Sequence, residues 1–409
     1  MEYRDYQLEI IKKASHTIAE HKFVYLAMEV RTGKTLTALG IAEQQNCKRV
    51  LFLTKKKAIR SIEKDYEMLN PLYNLLVINY ESIHKIPDVK WDMVIVDEAH
   101  SLGAFPKPNK RAKQVRDIIK VNRCLVCLMS GTPTPESYSQ MYHQVFGIPT
   151  NPFKEHKTFY KFANQYVDKR QKKINSMYIN DYTRGYETII EKMNPYTYRF
   201  SQSDAGFKVD TKEHILNVEM NEVTYSLCRK LKRNRVVEGD EEVILADTPV
   251  KLMMKLHQLY SGTIKFESGK GMVIDTSKAQ FIYKKFESKK IAIFYKFKQE
   301  LKAIKEVFGD DICTDLSLFK ETNKSIALQI VSGREGISLK EADALVYYNI
   351  DFSATSYWQS RDRMTTIDRL KSDVYWVFSK DGIENEIYKA VCKKKDYTVR
   401  HFKKDLLTL

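Results

Sequence analysis

Short apolar runs recur through the first 150 residues, each too short for a helix and bounded by polar or turn-forming residues. Phe23-Val24-Tyr25-Leu26-Ala27, Val50-Leu51-Phe52-Leu53, Leu75-Leu76-Val77-Ile78, Met93-Val94-Ile95-Val96 and Cys124 to Met129 are apolar at every position rather than at alternate ones. That pattern predicts strands buried on both faces, as in a parallel sheet, with amphipathic stretches between them as crossover helices. From 151 to 272 the apolar runs thin and basic, aromatic-rich segments such as Lys169-Arg170-Gln171-Lys172-Lys173 and Arg229-Lys230-Leu231-Lys232-Arg233 replace them, which predicts a mainly helical insertion. Strand-like runs resume at Ile291-Ala292-Ile293-Phe294, Ile326 to Val331, Ala344 to Tyr348 and Val374 to Phe378. The expected fold is α/β: two doubly wound parallel-sheet domains, 1–150 and 273–409, flanking the 151–272 segment.

Candidate chemistry sits where two of these strands end. Arg31-Thr32-Gly33-Lys34-Thr35 follows the first strand and opens a helical stretch, Leu36 to Gln44, the context of a phosphate-binding loop. There Lys34 reaches the β- and γ-phosphates of ATP and the Thr35 hydroxyl binds Mg2+. The first glycine of the full loop pattern is replaced by Met28. Asp97-Glu98-Ala99-His100 ends the strand Met93 to Val96, so two carboxylates fall at the carboxyl edge of the sheet, where ligands bind. Asp97 suits the metal, and Glu98 suits the attacking water.

Charge adds a partner to this picture. With 68 Lys+Arg against 52 Asp+Glu, the net charge of +16 favours a polyanion. Lys55, Lys56, Lys57 and Arg60 follow a strand end, where they can meet successive phosphates. No signal-like N-terminus and no apolar run of ~18 residues is present, which predicts a soluble, cytoplasmic protein away from membranes. Of the six cysteines only Cys124 and Cys127 are close, and their apolar setting predicts a buried strand.

In order, these motifs resemble those of superfamily 2 helicases, and more closely the Swi/Snf-like branch of double-stranded DNA translocases, a resemblance that implies two RecA-like domains. Ala27-Met28-Glu29-Val30-Arg31-Thr32-Gly33-Lys34-Thr35 is similar to that branch's nucleotide loop, in which the first glycine is also missing. Tyr6-Gln7 looks like its adenine-reading element, with Gln7 on the base edge and Arg4 or Tyr6 stacked on the ring. The resemblance implies track contacts from Lys55 to Lys57 and from Asn79 and Tyr80. It implies coupling roles for His100, Ser130, Thr132 and Gln359, and further track contacts from Ser332 and Arg334. It implies Gly336 in the ATP site and Arg363 as an arginine finger. Leu252 to Gln258 with Ser277-Lys278 resemble the branch's connecting segment.

Three positions depart from the family pattern. Thr366 stands where a second arginine is expected, and Arg31 and Arg334 replace glycines, implying an altered loop path or an added phosphate contact. The expected function is an ATP- and Mg2+-dependent motor moving on duplex or branched DNA, acting as a monomer. Its economy fits a bacteriophage or mobile element. A strand-separating DNA or RNA helicase and a binding protein with an ATP switch are the alternatives.

Overall fold

The computed structural model describes residues 2–174, 177–206, 210–239, 241–330, 339–353, 357, 360 and 371–393. The chain forms two compact units, Met1–Phe207 and Lys208–Leu409. In the first, α1 (Asp5–His21), β1 (Phe23–Met28), α2 (Lys34–Gln44), β2 (Arg49–Thr54), α3 (Ile59–Leu69), β3 (Asn74–Asn79) and β4 (Met93–Val96) are followed by α4 (Lys110–Asn122) and β5 (Leu125–Met129). A hairpin, β6 (Arg170–Ile174) and β7 (Met177–Asp181), precedes β8 (Thr197–Phe200). The six-stranded sheet has the order β3-β2-β4-β5-β1-β8, with every pairing parallel.

Alternation divides each fully apolar strand between two cores. Phe23, Tyr25, Leu51, Leu53, Val94 and Val96 pack on one face of the sheet, and Val24, Leu26, Val50, Phe52, Met93 and Ile95 on the other. Five strands and α2 therefore form where the apolar runs placed them. Cys127 lies within β5 and Cys124 just ahead of it, both buried.

The second unit contains β9 (Asp210–Val218), the hairpins β10 (Val236–Glu238) with β11 (Val243–Leu245) and β12 (Thr263–Lys265) with β13 (Gly271–Val273), then β14 (Ile291–Tyr295), β15 (Ile312–Cys313), β16 (Ser325–Gln329), β17 (Ala344–Tyr347) and β18 (Lys371–Ser379). Its six-stranded sheet runs β15-β16-β14-β17-β18-β9, again all parallel. Both units are thus parallel-sheet α/β domains of the expected RecA-like kind.

The segment 151–272 is divided differently from the expectation. It does not stand apart as a mainly helical insertion: β8 closes one edge of the first sheet and β9 one edge of the second. Both are edge strands with polar residues at alternate or consecutive positions, Thr197-Tyr198-Arg199-Phe200 and Asp210-Thr211-Lys212-Glu213-His214, so neither carries the apolar run that marks an interior strand. No described helix is long and apolar enough to cross a membrane.

Candidate nucleotide site

The first sheet brings the ends of β1, β4 and β5 side by side, with β5 in the middle. After β1 the chain turns through Glu29 to Gly33 into α2. Thr32 is fully buried and its Oγ1 donates to the Glu29 carbonyl at 2.8 Å, which holds the turn closed. Gly33 has φ 80, a left-handed conformation that a side chain disfavours, and a Cβ there would lie 2.3 Å from Gln7 Nε2. Gln7 is buried, and its Nε2 donates to the Gly33 carbonyl at 3.3 Å. Tyr6 donates its hydroxyl to the Thr32 carbonyl at 3.2 Å, and Arg4 NH1 donates to the Tyr6 oxygen at 3.1 Å. Tyr6 and Gln7, expected at the adenine, are therefore held against the 29–33 loop, with Arg4 bonded to Tyr6.

Arg31 has φ 65, so the loop keeps a glycine-like turn despite carrying a side chain. That conformation costs about 1–2 kcal/mol for a residue other than glycine. Lys34 Nζ donates to the Met28 and Glu29 carbonyls at 2.8 and 2.9 Å, which holds the ammonium at the mouth of the loop. Thr35 is half-buried one residue into α2.

At the end of β4, Asp97 Oδ2 accepts from Thr54 Oγ1 at 2.7 Å and Oδ1 accepts from the Glu98 amide at 2.9 Å. Tyr80 donates its hydroxyl to the Asp97 carbonyl. Glu98 has φ 49, a second strained backbone at a site residue. Burial, followed by the Glu98 charge, raises the Asp97 carboxyl above its usual range. Burial pushes Glu98 upward too, but the His100 hydrogen bond and charge, then Lys55 and Lys34, outweigh it and hold Glu98 below the usual range. The two neighbours are thus driven apart, Asp97 upward and Glu98 downward.

His100 Nδ1 lies 3.2 Å from Glu98 Oε2 and 2.9 Å from Ser130 Oγ, and the Thr132 amide donates to that same Oγ at 3.1 Å. Glu98, His100, Ser130 and Thr132 form one connected group across β4 and β5. Gly131, between the last two, would place a Cβ 3.6 Å from Lys34 Nζ, so this group abuts the phosphate loop.

Among the described residues no three His, Cys, Asp or Glu could hold a metal by themselves. Thr35 and Asp97 suit Mg2+, which is commonly held by one or two carboxylates plus substrate phosphates rather than by an all-protein cage. The Lys34 charge acts on both Asp97 and Glu98, so an anion received there would face cation and carboxylates together.

Not all expected contacts point outward. Lys56, Lys57 and Arg60 are exposed beyond β2, whereas Lys55 is half-buried and its charge reaches Glu98. Tyr80 and Asn79, expected on the track, are buried, and Tyr80 supports Asp97 instead. Buried at 2% exposure, the Tyr80 ring presents no open face on which a base could stack. Arg111 covers the Tyr80 ring at 5.1 Å and its NH2 donates to Glu81 at 2.5 Å, a support that no sequence motif signals. Nor does any sequence motif mark Thr54 as the residue that holds Asp97. Ser332, Arg334, Gly336, Gln359, Arg363 and Thr366 lie outside the described residues.

The model of the SNF2-related domain family matches residues 21–262, more than half of the 409-residue chain. Among solved structures the chain is similar to the Sulfolobus solfataricus SWI2/SNF2 ATPase core in complex with dsDNA, at 14% identity, covering 100% of this chain and 93% of that one with a TM-score of 0.42. It is similar also to the Sulfolobus solfataricus SWI2/SNF2 ATPase core domain, at 14% identity and 96% and 89% coverage, with a TM-score of 0.41. Comparison with curated protein sequences gives no match.

Proposed function

This chain belongs to the SNF2-related domain family, and on that premise we propose that it is an ATP-dependent motor that translocates on duplex DNA. The observation that carries the reading is the convergence of Lys34, Asp97 and Glu98, with Glu98 joined through His100 to Ser130. Backbone amides of the loop and the N-terminus of α2 receive the phosphates, and Lys34 exchanges its main-chain acceptors for their oxygens. Gln7 and Tyr6 close the base end of the pocket.

Thr35 and Asp97 would hold Mg2+, which supplies charge neutralisation to the β- and γ-phosphates when bound. Glu98, kept ionised, accepts a hydrogen bond from the attacking water and orients it; its low basicity makes orientation the larger part of its work. His100 ties Glu98 to Ser130 and Thr132, so a displacement of the loop after β5 is felt at the water-orienting carboxylate. Arg363 is proposed from the sequence as the charge that completes the γ-phosphate site. Lys56, Lys57 and Arg60 grip phosphates without reading sequence.

The test is the rate of ATP hydrolysis with linear duplex DNA, single-stranded DNA and RNA. Duplex DNA should stimulate most, with affinity falling steeply as salt rises. Equal rates with and without duplex DNA would remove the motor reading.

A further inference from the structure

One peptide plane joins the two carboxylates of the nucleotide site. Its carbonyl, from Asp97, accepts from the Tyr80 hydroxyl, and its amide, from Glu98, donates to Asp97 Oδ1 at 2.9 Å. Glu98 leaves that plane at φ 49, a strained backbone that persists only where the surroundings impose it. The Tyr80 hydrogen bond therefore helps to set where both Asp97 and Glu98 point.

Tyr80 connects this peptide to the surface. Its ring is 2% exposed and follows directly on Asn79, the last residue of β3. Arg111 lies over the ring at 5.1 Å and donates from Nη2 to Glu81 Oε1 at 2.5 Å. The start of α4 fixes Arg111 in turn. Asn109 caps the helix by accepting from the Ala112 amide at 2.9 Å, and its Nδ2 donates to the Ser101 carbonyl at 2.7 Å, three residues past Glu98. A surface guanidinium is thus linked through one aromatic ring to the peptide between Asp97 and Glu98.

The ion pair at the outer end is readily exchanged. The Arg111 and Glu81 side chains are 36% and 60% exposed, and pairs so open to water contribute little to stability. Burial pushes the Glu81 carboxyl up, but the Arg111 hydrogen bond and charge, with the Lys55 charge, outweigh it and hold Glu81 below the usual carboxylate range. Lys55 opens the basic stretch that continues through the exposed Lys56, Lys57 and Arg60. Glu81 is therefore an anion set among cations. A backbone phosphate accepts paired hydrogen bonds from a guanidinium as a carboxylate does, and a duplex presents many phosphates at once.

We propose that Arg111 senses duplex DNA on behalf of the ATP site: a backbone phosphate takes Arg111 from Glu81, and the shift of the guanidinium over Tyr80 reaches the Asp97–Glu98 peptide through the Tyr80 hydroxyl. Arg111 and Tyr80 are then positioning residues, and Glu81 is the internal anion that competes with the track. The proposal rests on the reading of the chain as a DNA motor and adds a route by which the track raises turnover. It differs from the His100 link, which meets Glu98 at its side chain, whereas Tyr80 acts on the main chain.

The test follows ATP hydrolysis by the full-length protein as linear duplex DNA is added, for the parent, R111A, E81Q and Y80F. Breaking the ion pair from its two sides should have opposite effects. R111A should lose about tenfold of the maximal stimulation by duplex, whereas E81Q, which leaves Arg111 uncontested, should reach full stimulation at about threefold less duplex. Y80F keeps the ring and loses the hydroxyl, so kcat with duplex should fall about tenfold while the KM for ATP stays within about twofold. Melting temperatures close to the parent's should accompany all three. A pair that is only a structural staple would make R111A and E81Q lose stability and activity alike, and that result overturns the proposal. Parental stimulation in R111A, or parental kcat in Y80F, overturns it as well while leaving the motor reading intact. A parent whose hydrolysis ignores duplex DNA removes the motor reading and the sensor together.

Discussion

Gln7 Nε2 lies 3.3 Å from the Gly33 carbonyl, which fastens the start of α1 to the loop expected to carry phosphate. A Cβ at Gly33 would meet that nitrogen at 2.3 Å in a backbone conformation, φ 80, that already disfavours a side chain. Gly33→Ala should therefore displace Gln7 and weaken ATP binding at least tenfold, read as a rise in KM. Gln7→Ala leaves the turn intact and should raise KM while erasing the preference for ATP over GTP. An unchanged preference would detach Gln7 from base recognition.

The link from His100 to Glu98 predicts a pH effect. His100 holds the Glu98 carboxyl down, so its removal lets burial raise that carboxyl. In His100→Asn the acidic limb of the kcat/KM profile should move to higher pH, because Glu98 must be ionised to work. A limb that stays in place would show that His100 does not tune Glu98.

Arg31 keeps a left-handed turn at φ 65, a conformation glycine adopts freely. Arg31→Gly should raise thermal stability by an amount equivalent to about 1 kcal/mol. It should also raise KM for ATP, through loss of a guanidinium beside the phosphates. A fall in stability would mean that contacts of the arginine outweigh its backbone strain.

Much of this was legible in the chain. Strands apolar at every position can only be buried on both faces, so Val50 to Leu53 and Met93 to Val96 announced a parallel sheet, and residues at their ends announced the site. Edge strands carry no such signal: Arg199 and Lys212 face water there without penalty. Tyr80 is the instructive case. Sequence order placed it on the track, but its direction depended on the neighbouring Asp97 carbonyl and the Arg111 cover, both set by tertiary packing. The β6–β7 hairpin read as a basic, helical segment because alternation over five residues was obscured by consecutive lysines.

Two buried histidines give a stability signature. Burial pulls His143 below the usual imidazole range and pulls His257 well below it, with Lys296 adding to the effect on His257. A depressed folded value means that stability is complete above the unfolded value of about 6.5 and is lost as pH falls toward the folded one. The slope reaches about 1.4 kcal/mol per pH unit for each histidine. Between pH 7.5 and 5.5 the parent should therefore lose more stability than His257→Gln, whose amide can still meet Asn349. Parallel slopes would refute this.

The central claim is that the Lys34, Asp97 and Glu98 pocket turns ATP hydrolysis into movement along duplex DNA, and displacement of a third strand from a DNA triplex measures that movement without requiring the duplex to open. The parent should displace the strand in the presence of ATP and Mg2+. Glu98→Gln should bind ATP and DNA yet hydrolyse at least a hundredfold more slowly and displace nothing. Displacement by Glu98→Gln at the parental rate, or hydrolysis by the parent with no displacement, would contradict the account.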